Sequence, residues 1–568
     1  SGDYVYLSGK VDSDYFGMQM MSPVYEKVTE REPTHTARIV PIYSLTDRLS
    51  QKQIRFLIKS VLRLSENIQD ILPEEIKKKL NLYNLPESLK ETHFPTSFKE
   101  VNAARRRLKF DELFILALRN ALTRSELKKS SASEIKFHEK ETRDFVNSLP
   151  FKLTDGQRTS AWEILKDLGS SGPMNRLLDG DVGSGKTVVA AIAMLNVFLS
   201  GFQSALMAPT EILACQHFES LTKLFKDSEI KIALLTHSFK ENDIDGADVV
   251  VGTHALIQKN IKFKKLALAV VDEQHRFGVK QRAELKKHSN LKDGVPHLLS
   301  MTATPIPRTL ALSAYGDLDI SIINELPKER LPIITKIARP DKRADAYKFI
   351  RDEINKGRQA FVICPLIDPS DKLGVKSVTE EYKKLDEDIF KDLEIGLMHG
   401  KLKPAEKEKV MADFLANKIK ILVSTSVVEV GVDVPNASIM FIEGAERFGL
   451  AQLHQFRGRI GRDKFQSYCF VVQENFNEIS TNRLRVFEQC NNGFLLAEKD
   501  LEFRGQGDIF GSRQSGKVDF QIANITDAEI MKQARDTAEE LIKNDPDLTS
   551  APLLKEKLEE FEKNVHLE

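Results

Sequence analysis

The feature that most constrains this chain is an eight-residue run, Gly180-Asp181-Val182-Gly183-Ser184-Gly185-Lys186-Thr187, which fits GxxxxGK[ST] between a short apolar segment and a helical one. Glycines at 180, 183 and 185 let backbone N–H groups turn inward, and the following helix offers its positive N-terminus, so the loop suits phosphate oxygens. Gly180, Gly183, Ser184 and Gly185 are expected around the phosphates of a nucleotide. Lys186 is expected to reach the β and γ phosphates, and the Thr187 hydroxyl to ligate Mg²⁺.

A second acidic site belongs with such a loop. The apolar run 266–271 ends in Asp272-Glu273-Gln274-His275. Asp272 is placed to hold the metal's water shell, and Glu273 to orient the attacking water and take its proton. Alone, an acidic pair after a strand is often only helix-start charge; the P-loop upstream gives it meaning. Ser300-Met301-Thr302-Ala303-Thr304 closes another strand with hydroxyls. Far downstream, Gln455-Phe456-Arg457-Gly458-Arg459-Ile460-Gly461-Arg462 sets guanidinium groups around two glycines. They suit a γ-phosphate approached from a second domain, where such arginines stabilise phosphoryl transfer by roughly 4–7 kcal/mol. The bland alternative is an arginine-rich surface loop.

With 568 residues the chain has room for three to four domains of roughly 150 each. Lys plus Arg and Asp plus Glu both number 83, so any polyanion must be met by a local basic surface. The longest apolar run, 188–199, falls short of the roughly 18–20 residues that cross a bilayer, and a soluble chain without membrane contact is expected. Cys215, Cys364, Cys469 and Cys490 are scattered, which argues against zinc and disulfides and for reduced thiols in the cytoplasm.

Short alternating segments open the chain and suggest a β remnant at 1–35. Helical spacing follows over 36–145. Arg105-Arg106-Arg107 and Lys109 point around that helical surface rather than forming one patch, and Lys77-Lys78-Lys79 reads as a solvated helix face. Trp162, at helical spacing from Leu165, is expected in the core. From residue 151, apolar strands alternate with helices, giving one parallel sheet over 146–335 and a second over 336–475. Pro327, Pro332 and Pro340 punctuate the connection, and a helical region with a glycine-rich stretch fills 476–568. The fold class is therefore α/β, with two tandem parallel-sheet P-loop-type domains flanked by an N-terminal helical linker and a C-terminal helical region.

The order of Gln157, the P-loop, DEQH, TAT and QxxGRxGR resembles the superfamily 2 helicase core, two RecA-like domains sandwiching ATP. Residues 272–279 (DEQHRFGV), 301–309 (MTATPIPRT) and 315–319 (YGDLD) narrow the resemblance to the RecG family. It spans nearly the whole chain and implies an ATP-dependent translocase on double-stranded DNA, of 3′–5′ type, that remodels branched DNA such as stalled forks and Holliday junctions. It implies ATP and Mg²⁺ as cofactors, a monomer, and a contact with single-strand-binding protein. Gln157, within the segment that opens at Phe151, would read adenine. Pro209 and Thr210, with Gly252, Thr253 and His254, would touch a DNA strand. Thr302 and Thr304, and His275, would couple hydrolysis to movement. Ser424 and Thr425 match a DNA-contacting motif, Gly431 and Asp433 its nucleotide side, and Arg459 and Arg462 two phosphate-facing arginines. Residues 493–514 are similar to a translocation motif in which Arg483, Arg504 and Gln514 link a helical hairpin to domain closure.

Departures there are mild: Gly505-Gln506-Gly507-Asp508 stands where the family usually has a Gly-Pro-Gly-Glu run, and Asn491-Asn492 replaces a more usual acidic position before Gly493. The larger departure is expected at the front, where only the last strands of the family's wedge domain are recognised, which would impair strand separation. Rival readings are a coupling-factor type DNA translocase, which Gln274 disfavours, a DExH RNA helicase, and a nucleotide-gated clamp without turnover, which Lys186, Glu273 and the arginines disfavour.

Overall fold

In the N-terminal segment β1 (Val5–Ser8), β2 (Val11–Asp14), β3 (Gly17–Met20) and β4 (Val24–Lys27) form two antiparallel pairs, β1 with β4 and β2 with β3. A computed structural model describes the chain except residues 1, 15–16, 30–32, 47, 239, 242–245, 258–262, 274–293, 306–317, 328–329, 366–376, 427–433, 462–464, 505–519, 525–526 and 567–568. Only the backbone is described at 14, 127–128, 240–241, 340, 404, 504 and 564–566. The chain divides into two units, Ser1–Ser125 with Phe510–Glu568, and Glu126–Ile509.

In the smaller unit the helix Gln51–Val61 starts at a capping box between Ser50 and Gln53. It is tied to the strand segment: Lys52 Nζ donates to Tyr25 O at 3.0 Å and Lys59 Nζ to Thr34 Oγ1 at 2.7 Å. The core forms where the long helix Phe98–Lys129 meets the C-terminal helices Ala528–Asn544 and Pro552–His566, with Phe110, Phe114, Leu118, Ala534, Ala538 and Leu554 buried together. The basic run is structural. Arg107 is fully buried, donating to Asp70 Oδ1 at 2.6 Å, Asp111 Oδ1 at 2.9 Å and Tyr83 O at 2.7 Å. Lys109 pairs with Asp527 at 2.7 Å. Lys77, expected on a solvated face, is instead buried, because its ammonium finds two carboxylates, Asp70 at 3.1 Å and Glu74 at 2.6 Å.

The larger unit holds two sheets. The first contains β5 (Asn175–Gly180), β6 (Gln203–Met207), β7 (Ile232–Leu235), β8 (Lys240–Glu241), β9 (Val249–Gly252), β10 (Leu266–Val271), β11 (His297–Thr302) and β12 (Asp319–Ile323). Their spatial order is β12-β5-β11-β10-β6-β9-β7-β8, and every pair is parallel except β7 with β8. Strands buried on both faces are continuously apolar; all six residues of β10 are buried. The helix Lys186–Leu199 is buried around most of its girth, so its apolar run is core rather than a membrane span. Among the described residues no helix is long and apolar enough to cross a membrane.

The second sheet contains β13 (Ile334–Ala338), β14 (Gln359–Ile363), β15 (Ile395–Met398), β16 (Ile421–Ser424), β17 (Ala437–Ile442) and β18 (Tyr468–Val472), all parallel in the order β13-β18-β17-β14-β16-β15. The two-sheet expectation holds. β13 lies inside the stretch read as a connection, so the proline-rich segment re-enters the second sheet early. Trp162 is a correction: it is 56% exposed and sits edge-on to Phe137 at 5.4 Å, because the inner face of its helix is taken by Ala161, Ile164 and Leu165.

Candidate active site

The P-loop, the acidic pair and Thr302 stand at the C-terminal ends of β5, β10 and β11, and β11 lies between the other two. Because these strands are parallel, all three groups emerge at one edge, the crevice where open α/β sheets bind ligands. Gly183 and Gly185 have φ of +77° and +87°, a region that a side chain strongly disfavours. The loop is closed by Lys186 Nζ, which donates to Gly180 O at 2.8 Å and Asp181 O at 3.0 Å. Ser184 Oγ is buried without a hydrogen-bond partner among the described residues, so the loop holds a polar group suited to an added anion. Burial pushes the Lys186 ammonium below its ordinary range, against the opposing pull of Glu273, Asp272 and Asp181.

Gln157 occupies the third position of a helix capped by Thr154. Its Oε1 accepts from Thr154 N at 2.9 Å and its Nε2 donates to Ser184 O at 2.7 Å, so it braces the P-loop. Phe151 is partly exposed just before it. Thr187 follows Lys186 in the first turn of the P-loop helix.

Asp272 and Glu273 are both buried. Burial pushes Asp272 up, but the hydrogen bond from His217, whose Nε2 lies 2.8 Å from Oδ2, and the charge of Lys186 hold it below the ordinary carboxylate range. Glu273 moves the other way: burial and the neighbouring Asp272 raise it, only partly offset by Lys186 and Arg459. Two adjacent carboxylates with opposed shifts suit opposed roles, one an anionic metal ligand and one a proton acceptor. Glu273 also has a φ of +52°, a left-handed conformation costing roughly 1–2 kcal/mol for a residue with a Cβ.

The second lobe reaches this edge through the helix Leu450–Arg457 and the loop after it. His454 Nε2 lies 2.7 Å from both Asp181 carboxylate oxygens, and Gln455 Nε2 donates to Thr304 Oγ1 at 2.6 Å. A Cβ on Gly458 would lie 2.9 Å from Val182 Cβ, so the arginine loop packs directly on the P-loop. Arg459 is buried and lowers the Glu273 carboxyl electrostatically. Arg457 turns away: it donates to Phe487 O at 3.0 Å, Cys490 O at 2.9 Å and Thr335 Oγ1 at 3.1 Å, tying this helix to the helix Glu478–Gln489.

Thr302 Oγ1 accepts from Thr304 N at 3.2 Å. Thr210, after Pro209, caps the helix Glu211–Leu224 through Leu213 N. A Cβ on Gly252 would strike Leu235 O at 2.1 Å, so packing alone requires glycine there. Thr253 is buried and His254 exposed beside it. Ser424 donates to Thr425 O at 2.9 Å at the end of β16. Arg483 donates to Phe448 O at 2.9 Å and to Glu446 O, holding the turn before the helix Leu450–Arg457. His275, Gly431, Asp433, Arg462 and Gln514 lie outside the described residues, as does the Arg504 side chain.

Family models match four stretches: the DEAD/DEAH box helicase over 154–312, the helicase conserved C-terminal domain over 341–464, RecG domain 3 C-terminal over 490–566, and the RecG wedge domain over 1–65. The ATP-dependent DNA helicase RecG of Synechocystis is 44% identical over 98% of this chain and 68% of its own length. The chain belongs to the RecG family of ATP-dependent DNA helicases. The RecG of Thermotoga maritima is also 44% identical, over 95% of this chain and 70% of that one. A RecG structure bound to a three-way DNA junction superposes with a TM-score of 0.80 at 39% identity, covering 94% of this chain and 70% of that chain.

The wedge match corrects the expectation that only a strand remnant of that domain is present. It runs to residue 65 and includes the helix Gln51–Val61, whose helical periodicity read as linker although its lysines bind the strand segment. Sequence reasoning also missed His217, Arg330 and His454 as site residues. Lone His and Arg residues give no spacing signal, and only folding brings them to the P-loop edge.

Proposed function

We propose that this RecG-family helicase is a double-stranded DNA translocase of 3′–5′ type that remodels forks and Holliday junctions by closing its two lobes around ATP. The observation that carries the reading is the seating of the arginine helix of one lobe on the strand-end edge of the other, through His454 with Asp181 of the P-loop and Gln455 with Thr304 after β11. The similarity to a RecG bound to a three-way junction supports branched DNA as the substrate class.

In this reading Gly180, Gly183, Ser184, Gly185 and Lys186 hold the phosphates, and Phe151 with Gln157 holds the base. Thr187 and Asp272 are the oxygen donors for Mg²⁺, a hydroxyl and a carboxylate as that hard cation prefers; the ion would neutralise phosphate charge. Glu273 accepts the proton of the attacking water, and Arg459 and Arg462 stabilise the transferred charge. Gly431 and Asp433 face the nucleotide from the second lobe. Pro209, Thr210, Gly252, Thr253, His254, Ser424 and Thr425 track the DNA backbone. Thr302, Thr304, His275, Arg483, Arg504 and Gln514 couple closure to movement. We further propose boundaries near 145, 335 and 475, a monomer, a cytoplasmic location and contact with single-strand-binding protein.

Steady-state ATP hydrolysis with branched duplex, linear duplex, single-stranded DNA and RNA tests the proposal. Branched duplex should stimulate most; strongest stimulation by RNA would overturn it. DNA affinity should fall steeply with salt, because phosphate contacts release counterions.

A further inference from the structure

Arg330 lies in the connection between the two sheets, four residues before β13 begins, and its side chain is spent on backbone carbonyls of both lobes. Nη1 donates to Val182 O of the P-loop at 2.6 Å. Nε donates to Gly461 O at 3.0 Å, and Nη2 to Ile460 O at 3.1 Å and Gly458 O at 3.4 Å. The last three carbonyls bracket Arg459. One planar fork therefore fixes the peptides on either side of that arginine and ties them to the phosphate loop.

Two further features make the fit specific. A Cβ on Gly183 would stand 2.6 Å from Arg330 Nη1, so the P-loop glycine also leaves room for this guanidinium. Ile334 N donates to Ser467 O at 3.0 Å and Gln466 Nε2 to Pro332 O at 2.7 Å, which anchors the connection to the second lobe beside the arginine loop. Anchored there, Arg330 reaches into the first lobe at Val182 O.

We propose that Arg330 is a positioning residue for ATP hydrolysis: it sets the orientation of Arg459 and passes the backbone position of the P-loop to it. This rests on the reading of Arg459 as a charge-stabilising arginine. A carbonyl at Val182 that shifts as the loop adjusts to its phosphates pulls the fork, and the fork carries the Gly458–Gly461 peptides with it. Misplacement of a catalytic group by about 1 Å costs about a hundredfold in rate, so loss of the fork should appear in kcat.

The test is a double-mutant cycle of Arg330→Ala and Arg459→Ala in the full chain, read by DNA-stimulated single-turnover ATP hydrolysis, fluorescent-nucleotide binding and thermal unfolding. Arg330→Ala should lower kcat at least about tenfold with nucleotide affinity within about twofold. In the Arg459→Ala background it should cost less than about twofold, since the group it positions is gone. Arg330→Lys, a point charge without the planar fork, should recover less than about a third of the loss. If Arg330→Ala does not fold, Arg330→Lys and Arg330→Gln are read in the same cycle. Equal losses in both backgrounds, or full recovery by Lys, overturn the Arg330 assignment and leave Arg459 in place. Wild-type turnover from Arg459→Ala overturns both.

Discussion

His454 and Asp181 join the two lobes at the phosphate loop: the imidazole Nε2 is 2.7 Å from both carboxylate oxygens, and Arg457 Nη2 lies 3.0 Å from the other ring nitrogen. Arginine can only donate, so Nδ1 accepts and the Nε2–H points at Asp181. The P-loop thus carries an acid whose partner comes from the opposite lobe. Removing the ring leaves a buried carboxylate short of a partner, at a cost of about 1–3 kcal/mol. His454→Ala should lower DNA-stimulated kcat about tenfold. Burial raises Asp181, but His454, the Val182 N–H and Lys186 hold it below the ordinary carboxylate range. Its contribution is therefore present above that range and is lost as pH falls through the depressed value. An ATPase pH profile in which variant and wild type differ equally down to the acid limb would count against the contact.

Glu273 offers a second check. Its carboxyl is raised by burial and by Asp272, so the ionised, proton-accepting form is gained as pH rises through that elevated value. Turnover should rise over the same interval. Glu273→Gln should bind nucleotide within about twofold of wild type while losing about a hundredfold or more in hydrolysis. Lys186→Ala should lose turnover altogether. Wild-type hydrolysis by the Gln variant would remove Glu273 as the base.

Gly458 tests the lobe contact without touching any charge. An alanine methyl there would lie 2.9 Å from Val182 Cβ, closer than real Cβ contacts come, so the arginine loop must back away from the P-loop. Gly458→Ala should leave thermal unfolding nearly unchanged and lower kcat about tenfold or more. A fully active variant would mean that this approach is not needed for turnover.

The smaller unit has its own electrostatic keystone. Burial raises Asp70, but Arg107, the Leu72 N–H and Lys77 bring it down to about 2 from 3.8. A depressed carboxyl contributes stability above its unfolded value, here about 2 kcal/mol, that disappears as pH falls from 3.8 toward about 2. Asp70→Asn should destabilise this unit by about 3–5 kcal/mol, because it strands part of the buried Arg107 charge. Denaturant unfolding with a tryptophan-independent probe checks it, and the variant should lack the wild type's acid-limb loss between those pH values.

The sequence by itself determined the local chemistry and the class of fold. Glycine spacing at 180–187, between an apolar segment and a helical one, reads as a phosphate loop, and the apolar runs 266–271 and 439–442 read as buried strands, since both signals lie within a few residues. Neighbouring acids at 272 and 273 were legible as a pair, but the left-handed turn at Glu273 and the opposed pKa shifts were not, because the shifts depend on how far folding buries each carboxyl and on His217 and Lys186 reaching Asp272 from elsewhere. Trp162 and Lys77 read wrongly for the same reason: spacing says which residues share a face, not which face finds a partner. Only the tertiary structure decided that Arg457 anchors the helical hairpin while Arg459 stays beside the acids, and that Arg330 and His454 reach the P-loop. Contacts between residues more than a hundred positions apart are set by how two sheets present their strand ends to each other, and no short-range pattern encodes that.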